Sequence, residues 1–313
     1  MKARTIVVRA SLILILGLRL SEYLLVYLAC KNTKTLTMFK HPLYLVPFDF
    51  TPVSESALRL AIDLAVANEG SVYLLHIVGK NSEKIEARNN FKNVISELRD
   101  PEKELVTSKV IVGDLFEDMG KAGDVLKASL IVMGTHGARG MQKVFGSNAV
   151  KMISNASSPF LITQGKKTVD KINTIVMPFS FSKESIQITT FAARMAKKFS
   201  AKIHLVGYHD DDSWLENKTQ SNQLVVRKHL TESNVKHEII NLPTSSSYEK
   251  ELINYAAKVD ADIIAAAYFK EGVLPTPNSF IQGIIENELQ IPLLTVNAEE
   301  LTVINSNYTF MSI

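Results

Sequence analysis

Three short segments of this chain occur twice, in the same order. Tyr44-Leu-Val-Pro-Phe-Asp-Phe50 returns as Ile175-Val-Met-Pro-Phe-Ser-Phe181, and Ala128-Ser-Leu-Ile-Val-Met-Gly134 returns as Ala261-Asp-Ile-Ile-Ala-Ala-Ala267. Pro159-Phe-Leu-Ile-Thr163 returns as Pro292-Leu-Leu-Thr-Val296, and the offset stays between 131 and 133 residues. A solenoid repeat is several times shorter, whereas this spacing suits one whole domain. The 313 residues hold two such units. The division expected is an N-terminal extension over 1–37, a first domain over 38–164, a linker over 165–170, a second domain over 171–297 and a tail over 298–313.

Each unit reads as alternating strands and helices. In the first, strands are expected near Leu43–Phe48, Ser71–Val78, Leu105–Val112, Ser129–Met133 and Phe160–Thr163. They are short and apolar on both faces, as parallel strands sandwiched between helices must be. Helices are expected over Ser54–Ala67, Glu83–Leu98, Leu115–Lys127 and Ser147–Ser154, with Ser54 the expected N-cap of the first. The second unit repeats this, with strands near Thr174–Pro178, Lys202–Gly207, Lys236–Asn241, Asp262–Ala267 and Leu293–Val296. Its helices fall near Lys183–Phe199, Trp214–Ser233, Tyr248–Lys258 and Phe280–Leu289. The fold class is therefore α/β: two tandem open parallel five-stranded sheets, Rossmann-like, with helices on both faces.

Charge and cysteine content narrow the function. The 35 basic and 32 acidic residues are mixed along the chain, with no basic stretch interleaved with aromatics, so no nucleic-acid surface is indicated. One cysteine, Cys30, excludes disulfides and cysteine-ligated zinc and fits a reducing, cytoplasmic setting. Lys2, Arg4 and Arg9 before the apolar run Leu12–Leu18 look superficially like a signal peptide. Arg19 and Glu22 interrupt any membrane-spanning length, so no membrane association is expected. Translation from Met38, a packed or interfacial extension, and export are the readings open for this segment; nothing in the rest of the chain asks for export.

In an open parallel sheet, ligands sit beyond the carboxyl ends of the strands, where strand order reverses. Pro47-Phe48-Asp49 leaves strand one there. Asp49 can accept hydrogen bonds from a ribose hydroxyl or an adenine amine; it can equally cap the following helix. Gly134-Thr-His136-Gly137-Ala-Arg-Gly140 leaves strand four and runs on to Gly146-Ser147, which opens a helix. Glycines admit a backbone close to phosphate, free amides at a helix start favour an anion, and Arg139 and Lys143 can neutralise charge from the rim. Ile77 is either a wall for a base or a plain core residue. His209-Asp-Asp-Asp212 reads as a solvated loop rather than a metal site. His136 has no nucleophile or paired carboxylate to complete a catalytic set, so no catalytic residue and no metal ligand is assigned.

These segments, in this order, resemble the universal stress protein family, over Met38 to about Gln164 and, as a diverged second copy, over Lys171 to about Asn297. The nucleotide-binding branch carries G-x2-G-x9-G-[ST]. Here Gly134 and Gly137 keep their separation, while eight residues separate Gly137 from Gly146. The resemblance implies adenine and ribose contacts at Pro47, Phe48, Asp49, Ile77 and Met133. It implies phosphate contacts at Gly134, His136, Gly137, Gly146, Ser147 and Asn148. The ligand implied is ATP or a related adenine nucleotide, with or without Mg. It also implies pairing of the two copies through their last strands, an intramolecular pseudo-dimer; a homodimer is the alternative use of that edge.

The second copy departs at each position. Ser180 replaces Asp49, Gly207-Tyr208 stands where His76-Ile77 stood, and Ala267 replaces Gly134. It is expected to keep the fold and not the ligand. The expected function is a nucleotide-binding stress-response protein rather than an enzyme. The competing readings are an interaction scaffold without nucleotide and, third, a slow ATP hydrolase. A pyrophosphatase-type enzyme needs a glycine loop after strand one, and Asp49–Ser54 contains no glycine.

Overall fold

The computed structural model describes residues 41–135, 145–165, 171–208, 211–242, 247–269 and 279–298. The extension over 1–37 lies outside these, as do the linker except Gly165 and the tail except Ala298. Strand β1 (Leu43–Pro47) leads to helix α1 (Pro52–Asn68), β2 (Ser71–Val78), α2 (Lys84–Ser96), the one-turn α3 (Asp100–Lys103) and β3 (Val106–Val112). Then follow α4 (Leu115–Leu126), β4 (Leu130–Gly134), α5 (Phe145–Ser154) and β5 (Phe160–Thr163). The second half runs β6 (Thr174–Pro178), α6 (Thr189–Phe199), β7 (Lys202–Tyr208), α7 (Ser213–Glu232), β8 (His237–Leu242), α8 (Tyr248–Lys258), β9 (Ile263–Tyr268), α9 (Ser279–Ile285) and β10 (Leu293–Asn297). Strand order is β3-β2-β1-β4-β5-β10-β9-β6-β7-β8, one ten-stranded sheet. Each half is parallel, and strand order reverses between β1 and β4 and again between β6 and β9.

The halves join through an antiparallel ladder, with Leu293 opposite Ile162, Leu294 opposite Leu161 and Thr295 opposite Phe160. An edge as apolar as Phe-Leu-Ile-Thr would template aggregation if left open; each half covers that of the other. Two core layers run through both halves. Tyr44, Val46 and Phe48 belong to the one under α1, α2, α6 and α7; Leu45, Ile131 and Met133 belong to the other, under α4, α5, α8 and α9.

Helix α1 opens two residues earlier than expected. Thr51, not Ser54, is the N-cap: its side chain accepts from Ser54 N, and Pro52 occupies the first helical position. Proline lacks the amide that a first-turn residue leaves unpaired anyway, and its φ is already helical. Ser54 is instead buried and donates its hydroxyl to Thr51 O at 2.9 Å. The short helix α3 carries no apolar periodicity and arises from one carboxylate. Glu102, 3% exposed, accepts from Arg59 Nη1 at 2.7 Å, Arg99 Nε at 2.8 Å, Arg99 Nη2 and the Arg99 amide at 3.1 Å.

The Arg99 guanidinium holds the Glu102 carboxyl below its ordinary value. A carboxyl depressed in the folded state adds stability above its unfolded pKa and loses it as pH falls through the folded one. Glu102→Gln is therefore expected to cost about 1–3 kcal/mol at neutral pH, with the difference from the parent shrinking steadily in acid. Thermal melts of both proteins from pH 7 downward measure this.

Candidate functional site

The carboxyl ends of β1, β2 and β4 come together as the sequence requires, with Pro47 opposite Leu75 and Leu45 opposite Ile131. Side-chain alternation then divides the candidate residues between the two sheet faces. Ile77 and Met133 lie on the α4–α5 face, Ile77 half-buried and Met133 buried in that core. Pro47 is half-buried at the end of β1, on the strand between theirs. Phe48 goes to the opposite face and is core, 2% exposed. Its backbone is engaged too: its amide donates to Leu75 O at 3.0 Å, and His76 Nδ1 lies 2.6 Å from its carbonyl. A carbonyl only accepts, so His76 carries its proton on Nδ1.

Phe50 then takes φ 63°, a left-handed conformation that costs an aromatic residue roughly 1–2 kcal/mol. Its ring packs at centroid distances of 5.3 Å from Phe48, 4.9 Å from His76 and 5.0 Å from Phe91, which holds it there. Phe50 was not legible as special: αL aromatics have no sequence signature. Beside this cluster, Asp49, Phe50, His76, Val78, Glu83 and Glu86 help line an open hollow of about 310 Å³.

Asp49 is exposed at the strand-to-helix turn. Its Oδ1 accepts from the Thr51 amide at 3.1 Å and from Thr51 Oγ1 at 2.5 Å. One carboxylate oxygen thus braces the capping residue Thr51; Asp49 supports the cap and is not the cap itself.

Gly134 is half-buried and its glycine requirement comes from the protein itself. A Cβ there would stand 2.1 Å from the carbonyl oxygen of Val53 and 3.0 Å from the Ser54 amide, in the first turn of α1. The strand end and the helix start are in backbone contact, and only hydrogen fits between them. In the second half the matching Ala267 is buried, and the chain after β6 makes a 3-10 turn at Glu184–Ile186 before α6 opens at Thr189. The tight helix opening is gone, and the alanine is tolerated.

His136 and Gly137 lie outside the described residues, as do Arg139, Gly140 and Lys143. Gly146, Ser147 and Asn148 fall in the first turn of α5. That helix begins at Phe145, one residue before Gly146, so the Gly-Ser pair sits among the amides that have no partner within the helix. A short helix start of this kind, following a glycine-rich loop and a parallel strand, is chemically suited to an anion.

The equivalent place in the second half is filled. By the offset between Pro159 and Pro292, Ser279-Phe280 stands where Gly146-Ser147 stands, and by the offset between Tyr44 and Ile175, Tyr208 stands where Ile77 stands. Phe280 stacks on Tyr248 with 5° between the planes and centroids 5.9 Å apart, and Tyr208 packs on Tyr248 at 4.7 Å. Tyr248 donates its hydroxyl to Val206 O at 2.6 Å, and burial pushes its phenol well above the usual value. Three rings from β7, α8 and α9 fill this crevice of the second half. Gly207, where the first half has His76, gives room to the Phe179 ring, 2.6 Å from where a Cβ would be. Of the His209–Asp212 run, His209 and Asp210 lie outside the described residues. Asp212 is the N-cap of α7, accepting from Trp214 N at 2.8 Å and Leu215 N at 3.1 Å. Among the described residues no group of three or more His, Cys, Asp or Glu could hold a metal ion, and no helix is long and apolar enough to cross a membrane.

No curated protein matches the chain. Among solved structures it is similar to a universal stress protein from Archaeoglobus fulgidus DSM 4304, with TM-score 0.65 and 17% identity, over 82% of this chain and 98% of that one. It is similar also to a functionally unknown protein from Pseudomonas aeruginosa PAO1, with TM-score 0.58 and 14% identity, over 87% and 99% of the two chains. A putative universal stress protein from Pseudomonas aeruginosa UCBPP-PA14 matches with the same TM-score and identity, over 86% and 99%. These likenesses extend the fold across both halves. At the level of sequence, residues 44–164 match the model of the Universal stress protein family. By that match the first half of the chain, residues 44–164, is similar to the universal stress protein family.

Proposed function

We propose that this protein is a cytoplasmic stress-response protein that binds ATP or a related adenine nucleotide, with or without Mg, in its first half only. Binding, not turnover, is the activity proposed. The observation that carries the reading is the contrast between two topologically matched crevices. One is followed by the glycine-rich loop and the Gly146-Ser147 helix start; the other is closed by Tyr208, Tyr248 and Phe280. In the first, Ile77 and Met133 offer an apolar wall for a base, Pro47 a flat edge and Asp49 an acceptor for a ribose. In this reading the two halves are a tandem repeat paired as an internal pseudo-dimer, and the second copy is kept for its fold.

A scaffold without nucleotide is the second reading, and two observations favour it. Gly134 is already required by Val53, and Asp49 is already used by Thr51, so both residues have structural reasons to be what they are. Asp49→Ala separates the readings. If Asp49 holds a ribose, adenosine and ATP both weaken by about tenfold, while stability falls by no more than about 1 kcal/mol. Calorimetric titration and a thermal melt of the same sample decide; unchanged affinity would remove Asp49 from the site.

A further inference from the structure

The helix that opens at Gly146 is held at its other end by the other half of the molecule. Asn297, the last residue of β10 and 2% exposed, donates from Nδ2 to Ser154 O, the terminal carbonyl of α5, at 2.9 Å. That carbonyl belongs to the last turn, where helical partners run out. The arrangement is reciprocal. Gln164, directly after β5, donates from Nε2 to Ile285 O at 2.6 Å and Asn287 O at 3.0 Å, at the end of α9. Helix α5 also packs on β10 and α9, and its buried Ala149, Val150, Met152 and Ile153 share one core with Ile281, Ile284, Ile285 and Leu293. A helix of ten residues has little stability of its own and depends on such packing for its order.

We propose that Asn297 is a positioning residue for the nucleotide site: by fixing the end of α5 it keeps the amides at the start of that helix aligned, so the half without a site sets the affinity of the half with one. The proposal rests on the nucleotide reading given above. A site that is competent only while α5 is ordered binds with an affinity reduced by the fraction of time α5 is frayed. Gln164 provides the control, because it caps a helix whose start is closed by Phe280.

The test uses the full chain, with ATP as the probe. Asn297→Ala is expected to weaken ATP about three- to tenfold, and Gln164→Ala to leave it within twofold. Equal weakening by both would mean that the interface acts through general stability, and no weakening by Asn297→Ala would mean that α5 needs no cap; either overturns the proposal. Asn297→Leu, which fills the same volume without a donor, serves if the alanine variant folds poorly. Hydrogen exchange across residues 149–154 reads the same point without ligand: faster in the Asn297 variants and unchanged in Gln164→Ala is expected. Exchange unchanged in the Asn297 variants refutes the proposal, even if the parent protein were to bind no nucleotide and the functional reading failed by itself.

Discussion

Gly134→Ala is expected to lower stability by about 2–3 kcal/mol, and Ala267→Gly, its mirror in the second half, by about 1 kcal/mol or less. The methyl at 134 would meet the Val53 carbonyl oxygen at 2.1 Å, a backbone atom that no rotamer change can move. Relief demands that the first turn of α1 back away from β4. That turn is tied by Thr51, which caps it and is itself braced by Asp49. Ala57, Leu58, Ala61 and Ile62, further along α1, are fully buried or nearly so, so the helix cannot shift without opening the core. Urea unfolding of the two variants beside the parent measures the difference, with midpoints shifted and the slope unchanged. A Gly134→Ala protein as stable as the parent that no longer bound nucleotide would assign this glycine to the ligand instead.

The second large effect concerns Gly146. A bulky side chain in the first turn of α5 should keep an anion away from the amides there. Gly146→Leu is expected to weaken ATP by about a hundredfold or more, the loss of two hydrogen bonds to charged oxygens at about 1.5–3 kcal/mol each. Leucine is a strong helix former, so α5 itself should not suffer. AMP and adenosine, which present less charge to the helix start, should lose less than ATP. That ordering separates a phosphate contact from a general disturbance of the site, which would weaken all three alike.

Much of the architecture was legible because several independent signals agreed. Ser71–Val78, Phe160–Thr163 and Thr174–Pro178 have the bounds read from the sequence, since turn residues flank apolar runs, and so does the amphipathic helix Tyr248–Lys258. Helix α1 opens ahead of Ser54 because Pro52 suits its first position and Thr51 caps it. Helix α3 was missed altogether: four residues organised by one buried carboxylate leave no periodic pattern. Helix α6 opens at Thr189 and not at Lys183, because the chain first makes a 3-10 turn at Glu184–Ile186.

The joining of β5 to β10 was legible as two exposed apolar edges needing partners, and one continuous sheet is what they make. The site was legible only in part. Sequence places Pro47, Phe48, Ile77 and Met133 near one another but does not say which sheet face each side chain takes. Alternation sends Phe48 into the far core, away from Met133. Nor could sequence show that Gly134 is demanded by a helix, since glycine at a strand end has the same letter whether its neighbour is Val53 or a phosphate. The aromatic closure of the second crevice was equally hidden, because Tyr208, Tyr248 and Phe280 are separated by 40 and 32 residues and meet only across β7, α8 and α9.

Calorimetric titration of the full chain with ATP tests the central claim most directly. One site per chain is expected, weakened by about a hundredfold or more by Gly146→Leu and untouched by substitution of Ser180, whose hydroxyl and amide serve the Ser182–Ser185 turn in the second half. Two sites per chain, or a single site that survives Gly146→Leu at full affinity, would contradict the asymmetric account, and the absence of any binding would leave the scaffold reading in its place.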